Sequence, residues 1–285
     1  MMKRRLFLAG AAASGLVGSA VFAAEPNPFT ALETRIGGQL GVGAIDTATG
    51  KFVGHWPDAR FAMCSTFKWL LAAQCLALSD KGELKLGEAL KFTEPDLLEY
   101  APAVKANLAK GAMTIAELCQ AMVEVSDNTA ANLVLTRLGG PSALTAFCRS
   151  VGDQITRLDR IEPALNTNFA GDQRDTTTPR AMAQTLQTVL TGDVLSRAGK
   201  DTLIGWMVAS KTGLARLRAG LPKDWKVGDK TGTGSRAAIN DVAIAWPPGK
   251  KPIVIAAYLT GSRADADTLN AVHAEIAQLV VKLLG

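Results

Sequence analysis

The sequence predicts an α+β protein in which one β-sheet is assembled from both ends of the chain and an all-helical segment is inserted between its strands. Strand-like segments bounded by turn residues lie near the N-terminus and reappear only after about residue 225. The chain between them is dominated by apolar residues spaced three and four apart. A cleft between the two parts is the natural place for a site. The expected division is an α/β domain of residues 25–58 and 211–285 around an all-α domain of residues 59–210.

In chain order, residues 29–37 read as a short helix. Gln39–Asp46 and 51–55 read as two strands around the turn Thr47-Ala48-Thr49-Gly50. From Ser65 to Asp80, the residues Phe67, Leu70, Leu71, Cys75 and Leu78 recur at helical spacing. Further helices are expected at 114–124, 128–138, 141–151, 178–191 and 196–209, with Gly, Pro, Asn and Asp at their ends. Residues 152–178 form a long polar stretch around Pro163 with little periodicity. Loops of that length inside a compact domain are usually functional. Residues 225–232, 241–246 and 253–259 read as three strands, and 264–284 as a closing amphipathic helix.

The first 24 residues read as an export signal. Lys3, Arg4 and Arg5 precede an apolar, Ala- and Gly-rich run that ends in Val21-Phe22-Ala23-Ala24, a small-residue cleavage site. Arg4-Arg5-Leu6-Phe7-Leu8 resembles a twin-arginine signal; an ordinary secretory signal with two chance arginines is the alternative. The expected location is periplasmic or secreted, after cleavage near Ala23/Ala24, with no membrane anchor. Removing Lys3, Arg4 and Arg5 from the formal charge of +5 leaves +2. No basic stripe with interleaved aromatics then remains to suggest nucleic-acid binding.

Several chemistries are poorly supplied. Cys64, Cys75, Cys119 and Cys148 stand in apolar contexts without CxxC spacing, so most are expected to be buried free thiols. His55 and His273 are the two histidines, and neither belongs to an HxH or HExxH pattern. A zinc hydrolase has almost no ligands here, no metal or other cofactor is called for, and a Ser-His-Asp triad lacks a recommended base.

Four motifs remain. Ser65-Thr66-Phe67-Lys68 is an S-x-x-K at a helix start, and its i, i+3 spacing puts hydroxyl and amine on one face. The helix N-terminus favours negative charge near Ser65. Taken alone, the motif reads equally as an N-cap and first turn. Ser126-Asp127-Asn128 lies between helices, where it also reads as a capping loop. Lys230-Thr231-Gly232-Thr233 ends a strand, where a glycine also suits a bulge. Each motif is short, but their joint order, each in the right kind of element, is specific.

S-x-x-K, S-D-N and K-T-G together resemble the motif set of penicillin-recognising serine enzymes. Arg160-Ile161-Glu162-Pro163-Ala164-Leu165-Asn166 resembles the E-P-x-L-N loop of class A serine β-lactamases, which penicillin-binding proteins generally lack. The resemblance extends to Tyr100-Ala101-Pro102 and to the run from Trp225 to Asp229. It implies a three-layer α/β/α sandwich with a five-stranded antiparallel sheet, and a monomeric hydrolase of small-molecule β-lactams that confers antibiotic resistance. By the same resemblance, Ser65 is the nucleophile, and the N–H groups of Ser65 and Thr233 form the oxyanion hole. Ser126 protonates the leaving nitrogen beside Lys68 and Lys230. Tyr100, Asn128, Lys230, Thr231, Gly232 and Thr233 bind substrate. Glu162 and Asn166 fix the deacylating water, with Glu162 as its base. Whether Lys68 or Glu162 activates Ser65 stays open.

Three details refine the resemblance. Ile239 stands where many class A enzymes place a carboxylate-binding Arg, and Arg216 matches an alternative used by other members, while Arg218 reads as structural. Cys64 precedes Ser65 as in several carbapenem-hydrolysing members, but Gly234 stands where their partner cysteine would be. That disulfide cannot form, so carbapenem hydrolysis is not implied. Arg160 and Asp175 are expected to close the loop neck as a salt bridge. The rival readings are a D,D-peptidase or penicillin-binding protein and a β-lactam sensor domain of the same fold.

Overall fold

Helix α1 (Phe29–Ile36) stops at Gly37, whose φ of 61° is left-handed and suits a residue without Cβ. Strands β1 (Gln39–Asp46) and β2 (Phe52–His55) follow as a hairpin. The computed structural model describes residues 27–284, so the export signal read at 1–24 lies outside the described residues.

The middle of the chain contributes β3 (Phe61–Ala62), α2 (Phe67–Asp80), β4 (Ala89–Lys91), α3 (Pro102–Ala106) and β5 (Ala112–Thr114). Helices α4 (Ile115–Glu124), α5 (Asn128–Arg137) and α6 (Pro141–Ser150) follow. Next come β6 (Thr176–Thr177), α7 (Pro179–Thr191), α8 (Arg197–Val208) and α9 (Leu217–Gly220). The chain ends with β7 (Lys226–Gly234), β8 (Ala238–Trp246), β9 (Ile253–Thr260) and α10 (Ala266–Leu284). Side chains cap several helix starts: Thr114 and Glu117 form a capping box on α4, and Thr178 and Ser196 accept from the first turns of α7 and α8.

The main sheet has five strands in the order β2-β1-β9-β8-β7, every pair antiparallel. Both of its faces are covered, which is why the strands read as nearly continuous apolar runs. One face, with Leu40, Val42, Ile255, Ala257 and Leu259, packs on Phe29 and Leu32 of α1 and on Leu269, Val272 and Ile276 of α10. The other, with Val242, Ile244, Val254, Ala256 and Tyr258, joins the core of the inserted helices. The result is the α/β/α layering implied by the resemblance. Helix α2 is the axis of the helical part: every residue from Phe67 to Ala77 is buried. A helix apolar on all sides is surrounded by neighbours.

The pairs β3–β6 and β4–β5 and the helices α3 and α9 do not stand out in the sequence. Elements of two to five residues contain too few periods to register as a pattern. Ser65 lies in a 3-10 turn, Cys64–Thr66, ahead of the helix it was expected to begin. Strand β8 starts at Ala238, three residues before the expected 241, because Gly234 and Ala238 already pair across the β7–β8 turn.

Both histidines serve the framework. His55 meets Glu33 at 2.9 Å, and Glu33 also accepts from Trp56 Nε1 and Leu40 N. His273 of α10 is fully buried, with Nε2 3.0 Å from the Ile239 carbonyl. A carbonyl only accepts, so Nε2 carries a hydrogen. Burial and the nearby Arg216 charge push its pKa down to about 3 from 6.5. Below pH 6.5 the unfolded chain therefore takes up a proton that the folded chain refuses. The contribution of His273 to stability is full above pH 6.5 and falls by about 1.4 kcal/mol per pH unit toward pH 3. Urea unfolding of His273→Gln between pH 7 and 4.5 is expected to show a shallower pH dependence than the parent; parallel curves would refute the assignment.

Candidate active site

The turn that bears Ser65 is held from three directions. Asn240 of β8 donates through Nδ2 to the carbonyls of Ala62 (2.9 Å) and Met63 (3.2 Å). Met63 N donates to the Asp175 carbonyl at 2.9 Å, tying the turn to the end of the long loop. Gly232 of β7 approaches so closely that a Cβ there would lie 2.6 Å from the Met63 carbonyl oxygen. Cys64 sits at φ 47°, an uncommon conformation for a side-chain-bearing residue, immediately before the serine.

One turn along, Lys68 lies on the same face as Ser65. Its Nζ is 2.9 Å from Ser65 Oγ, 2.9 Å from the Ser126 carbonyl and 3.4 Å from Ser126 Oγ, and it also reaches Asn128 Oδ1. The same Nζ lies 2.9 Å from Glu162 Oε1, which accepts from Ser65 Oγ at 3.1 Å. Serine hydroxyl, lysine amine and carboxylate thus form a closed triangle, with both charged side chains wholly out of solvent. Burial draws the Lys68 pKa below its ordinary value, with the Glu162 charge opposing it.

Ser126 sits at φ 60°, just before α5. The next residue, Asp127, caps that helix through Ala130 N and accepts from Ala103 N and Val104 N of α3. That buried carboxylate locks the S-D-N turn to the Tyr100-Ala101-Pro102 segment, and Asn128 N donates to the Tyr100 carbonyl at 3.0 Å. Lys230 of β7 brings its Nζ to 3.1 Å from Ser126 Oγ. Its pKa falls well below the usual lysine value, first by burial and then by the charge of Lys68.

A cavity of about 340 Å³ opens above these groups. Ser65, Tyr100, Ser126, Asn128 and Asn166 line it together with Thr212, Arg216, Thr231, Gly232 and Thr233. Tyr100 is half exposed at the rim, whereas Lys68, Glu162 and Lys230 are buried beneath it. Arg216 is locked: Nε donates to Asn270 Oδ1, Nη1 to the carbonyls of Gly232 and Asn240, and Nη2 to Thr233 Oγ1 at 2.8 Å. All the expected site residues therefore converge on one place, although they come from six separate stretches of chain, around Ser65, Tyr100, Ser126, Glu162, Arg216 and Lys230.

Residues 27–284 match the model of a family described as the Beta-lactamase enzyme family. The chain is 48% identical over 265 residues to β-lactamase AST-1 of Nocardia asteroides, covering 92% of this chain and 84% of that protein. It is 42% identical over 283 residues to β-lactamase CTX-M-8 of Citrobacter amalonaticus, covering 98% and 97%. Among solved structures, an ancestral class A β-lactamase superposes with a TM-score of 0.88 at 55% identity, covering 90% of this chain and 98% of that one. The chain belongs to the class A serine β-lactamase family.

In this member the loop that carries Glu162 is fastened at several points. Asn132 of α5 clamps the Glu162 main chain, its Nδ2 donating to the carbonyl (2.9 Å) and its Oδ1 accepting from the N–H (3.0 Å). Asn166 Nδ2 donates to Glu162 Oε2 at 2.5 Å. The expected neck is present: Arg160 Nε meets Asp175 Oδ2 at 2.5 Å, and Asp175 Oδ1 accepts from Asp159 N and Arg160 N. Asp175 is fully buried and Arg160 is partly buried. Arg218 pairs with buried Asp229 beneath β7, in keeping with its structural reading.

All four cysteines are free and buried. A Cβ at Gly234 would lie 2.6 Å from Cys64 Sγ, so the missing partner cysteine is a matter of residue identity rather than of distance. Among the described residues, no cluster of three or more His, Cys, Asp or Glu could hold a metal ion. Sequence reading missed Thr212, whose hydroxyl accepts from Thr231 Oγ1 at 2.6 Å, and the positioning residues Asn132, Asn240 and Asn270. An isolated Asn or Thr carries no local signal, since its partners lie tens to hundreds of residues away.

Arg160→Ser removes the charge facing a buried carboxylate; the loss is about 3–5 kcal/mol for a fully buried pair and smaller here, where the arginine is partly exposed. The loop is expected to loosen and the ranking of cephalosporins by kcat/KM to change. Unchanged kinetics across several cephalosporins would refute this role for the pair.

Proposed function

We propose that this chain hydrolyses the β-lactam ring of penicillins and cephalosporins through an acyl-enzyme on Ser65, cleared by water that Glu162 activates. The observation that carries the reading is the triangle of Ser65 with a buried amine at 2.9 Å and a buried carboxylate at 3.1 Å, in a member of this family. Ser65 Oγ attacks the lactam carbonyl carbon and gives its proton to Lys68 or Glu162, both of which it touches. Burial lowers the Lys68 pKa, so giving up its proton costs less there than in water, which supports Lys68 as a partner in the proton transfers of the site. The N–H groups of Ser65 and Thr233 hold the oxyanion, where one lost donor typically costs about 2.7–4 kcal/mol.

As the C–N bond breaks, the ring nitrogen takes a proton from Ser126, which Lys68 and Lys230 both contact and can resupply. Lys230, Thr231, Gly232, Thr233 and Arg216 bind the substrate carboxylate end, with Arg216 pre-aimed by its four hydrogen bonds. Asn128 and Tyr100 receive the amide side chain. In the second half-reaction, water loses a proton to Glu162 and attacks the ester carbon. Ser65 Oγ then leaves and regains a proton. Asn166 Oδ1 is a buried acceptor without a protein partner, which suits a water shared with Glu162.

The same reading extends to the setting of the reaction. Residues 25–58 with 211–285 act as one structural unit and 59–210 as the other, in a monomer that needs no cofactor. Lys3, Arg4 and Arg5 ahead of an apolar run support twin-arginine export, cleavage near Ala23/Ala24 and a periplasmic or secreted enzyme. Among the described residues, no helix is long and apolar enough to cross a membrane.

Turnover of a penicillin and a cephalosporin by the mature chain, followed by intact mass, tests the reading. Glu162→Ala is expected to lose roughly 10²–10⁴ in deacylation rate and to accumulate an acyl adduct on Ser65. A persistent adduct on the unmodified enzyme would instead indicate a penicillin-binding or sensor role.

A further inference from the structure

A second cavity, of about 480 Å³, lies behind the loop that carries Glu162. Loop residues 167–174 form one wall, and the ends of β1 and β9, β3 with Arg60, and the β7–β8 turn form the rest. Three arginines line it, Arg60, Arg174 and Arg236, with Asp172 as the one acidic residue; Arg60 and Arg236 are exposed at its mouth. Arg174 is committed to that carboxylate through a two-pronged contact, Nε to Oδ1 at 3.0 Å and Nη2 to Oδ2 at 2.9 Å. Arg60 reaches only neutral acceptors, the Ile155 carbonyl at 3.2 Å and Thr176 Oγ1 at 3.0 Å, both through Nη1. Arg236 contributes its backbone carbonyl to Gly261 N at 2.8 Å, and its side chain has no hydrogen bond or ion pair among the described residues. Two guanidinium charges without a carboxylate partner therefore border one concave, polar space.

We propose that this cavity is a binding site for a small organic polycarboxylate, gripped by Arg60 and Arg236 and walled by loop residues 167–174. A guanidinium presents parallel N–H donors that match a carboxylate edge to edge, so two unpaired forks call for two carboxylates on one ligand. The volume lies within the range of small-molecule sites, about 300–1,000 Å³, and a lone inorganic anion fills only a small part of it. The ligand bridges loop to framework: Asn168, in the loop wall, already fastens to Ser235 Oγ and Thr260 Oγ1 at the same edge. Occupancy stabilises the closed loop by mass action. On the other side of that loop, Asn166 holds Glu162. The proposal does not depend on the chemistry assigned to Ser65.

Calorimetric titration of the mature chain with citrate at low ionic strength tests it, with inorganic phosphate as the comparison anion. Saturable binding of one citrate is expected, with phosphate weaker. Arg236→Ala and Arg60→Ala should each weaken citrate by about tenfold or more, the loss typical of one charge-assisted contact. Lys230→Ala, which alters only the catalytic cavity, should leave citrate binding unchanged. No saturable binding, equal binding of phosphate, survival of citrate binding in both arginine variants, or its loss in Lys230→Ala would each overturn the proposal.

Discussion

Two opposite charges, Lys68 Nζ and Glu162 Oε1, meet at 2.9 Å with neither side chain touching solvent. Removing a carboxylate and an ammonium from water costs several kcal/mol each, and their attraction offsets this only where the remaining donors and acceptors are also satisfied. Here the lysine has Ser65, Ser126 and Asn128 around it, and the carboxylate has Ser65 and Asn166. Each of those partners must in turn be held still. Asp127 fixes the Ser126 turn to α3, Asn132 fixes the Glu162 main chain to α5, and Asn240 fixes the segment before Ser65 to the sheet. The apolar helix α2 beneath them keeps water away from the pair.

The sheet edge meets this arrangement with a second buried set of charges. Lys230 adds a cation near Lys68, and burial together with that charge depresses its pKa. Asp229 and Asp241 lie beneath the same strands, the first paired with Arg218, and burial raises the pKa of both. Arg216 reaches across to Thr233 from the far side. The cavity wall is thus a strand whose Lys230 is held by Ser126 and the Thr231 carbonyl, with Arg216 behind it held by Asn270 and the Gly232 and Asn240 carbonyls.

The loop bearing Glu162 separates two cavities, one neutralised by its own lysine–carboxylate pair and one bordered by unpaired arginines. The Arg160–Asp175 contact, the Met63–Asp175 backbone bond and the Asn168 contacts hold it at its neck and its outer edge. Leu158 and Leu165 anchor its first half in the main core, whereas residues 167–174 are held chiefly by polar contacts. A segment held chiefly by polar contacts gains stability from any ligand that binds its folded position.

Much of this was legible in the sequence. Strands at the two ends and the long helical middle follow from residue patterning, because elements of eight or more residues carry several periods of apolar spacing. Ser65 and Lys68 read as neighbours because three residues make nearly one turn, and the short motifs around Ser126, Glu162 and Lys230 marked the right residues. Short elements such as β3–β6 escaped, as did Thr212, Asn132, Asn240 and Asn270, whose partners lie 19, 30, 178 and 54 residues away. The sequence by itself determined the chemical groups, the order of the main elements and the apolar faces that force the layers together. Only the tertiary structure decided that Glu162 stands against Lys68, that Arg216 aims at Thr233 and that two arginines lack carboxylates behind the loop. Those outcomes depend on which distant groups burial brings within about 3 Å of one another, the separation at which a hydrogen bond or contact ion pair forms.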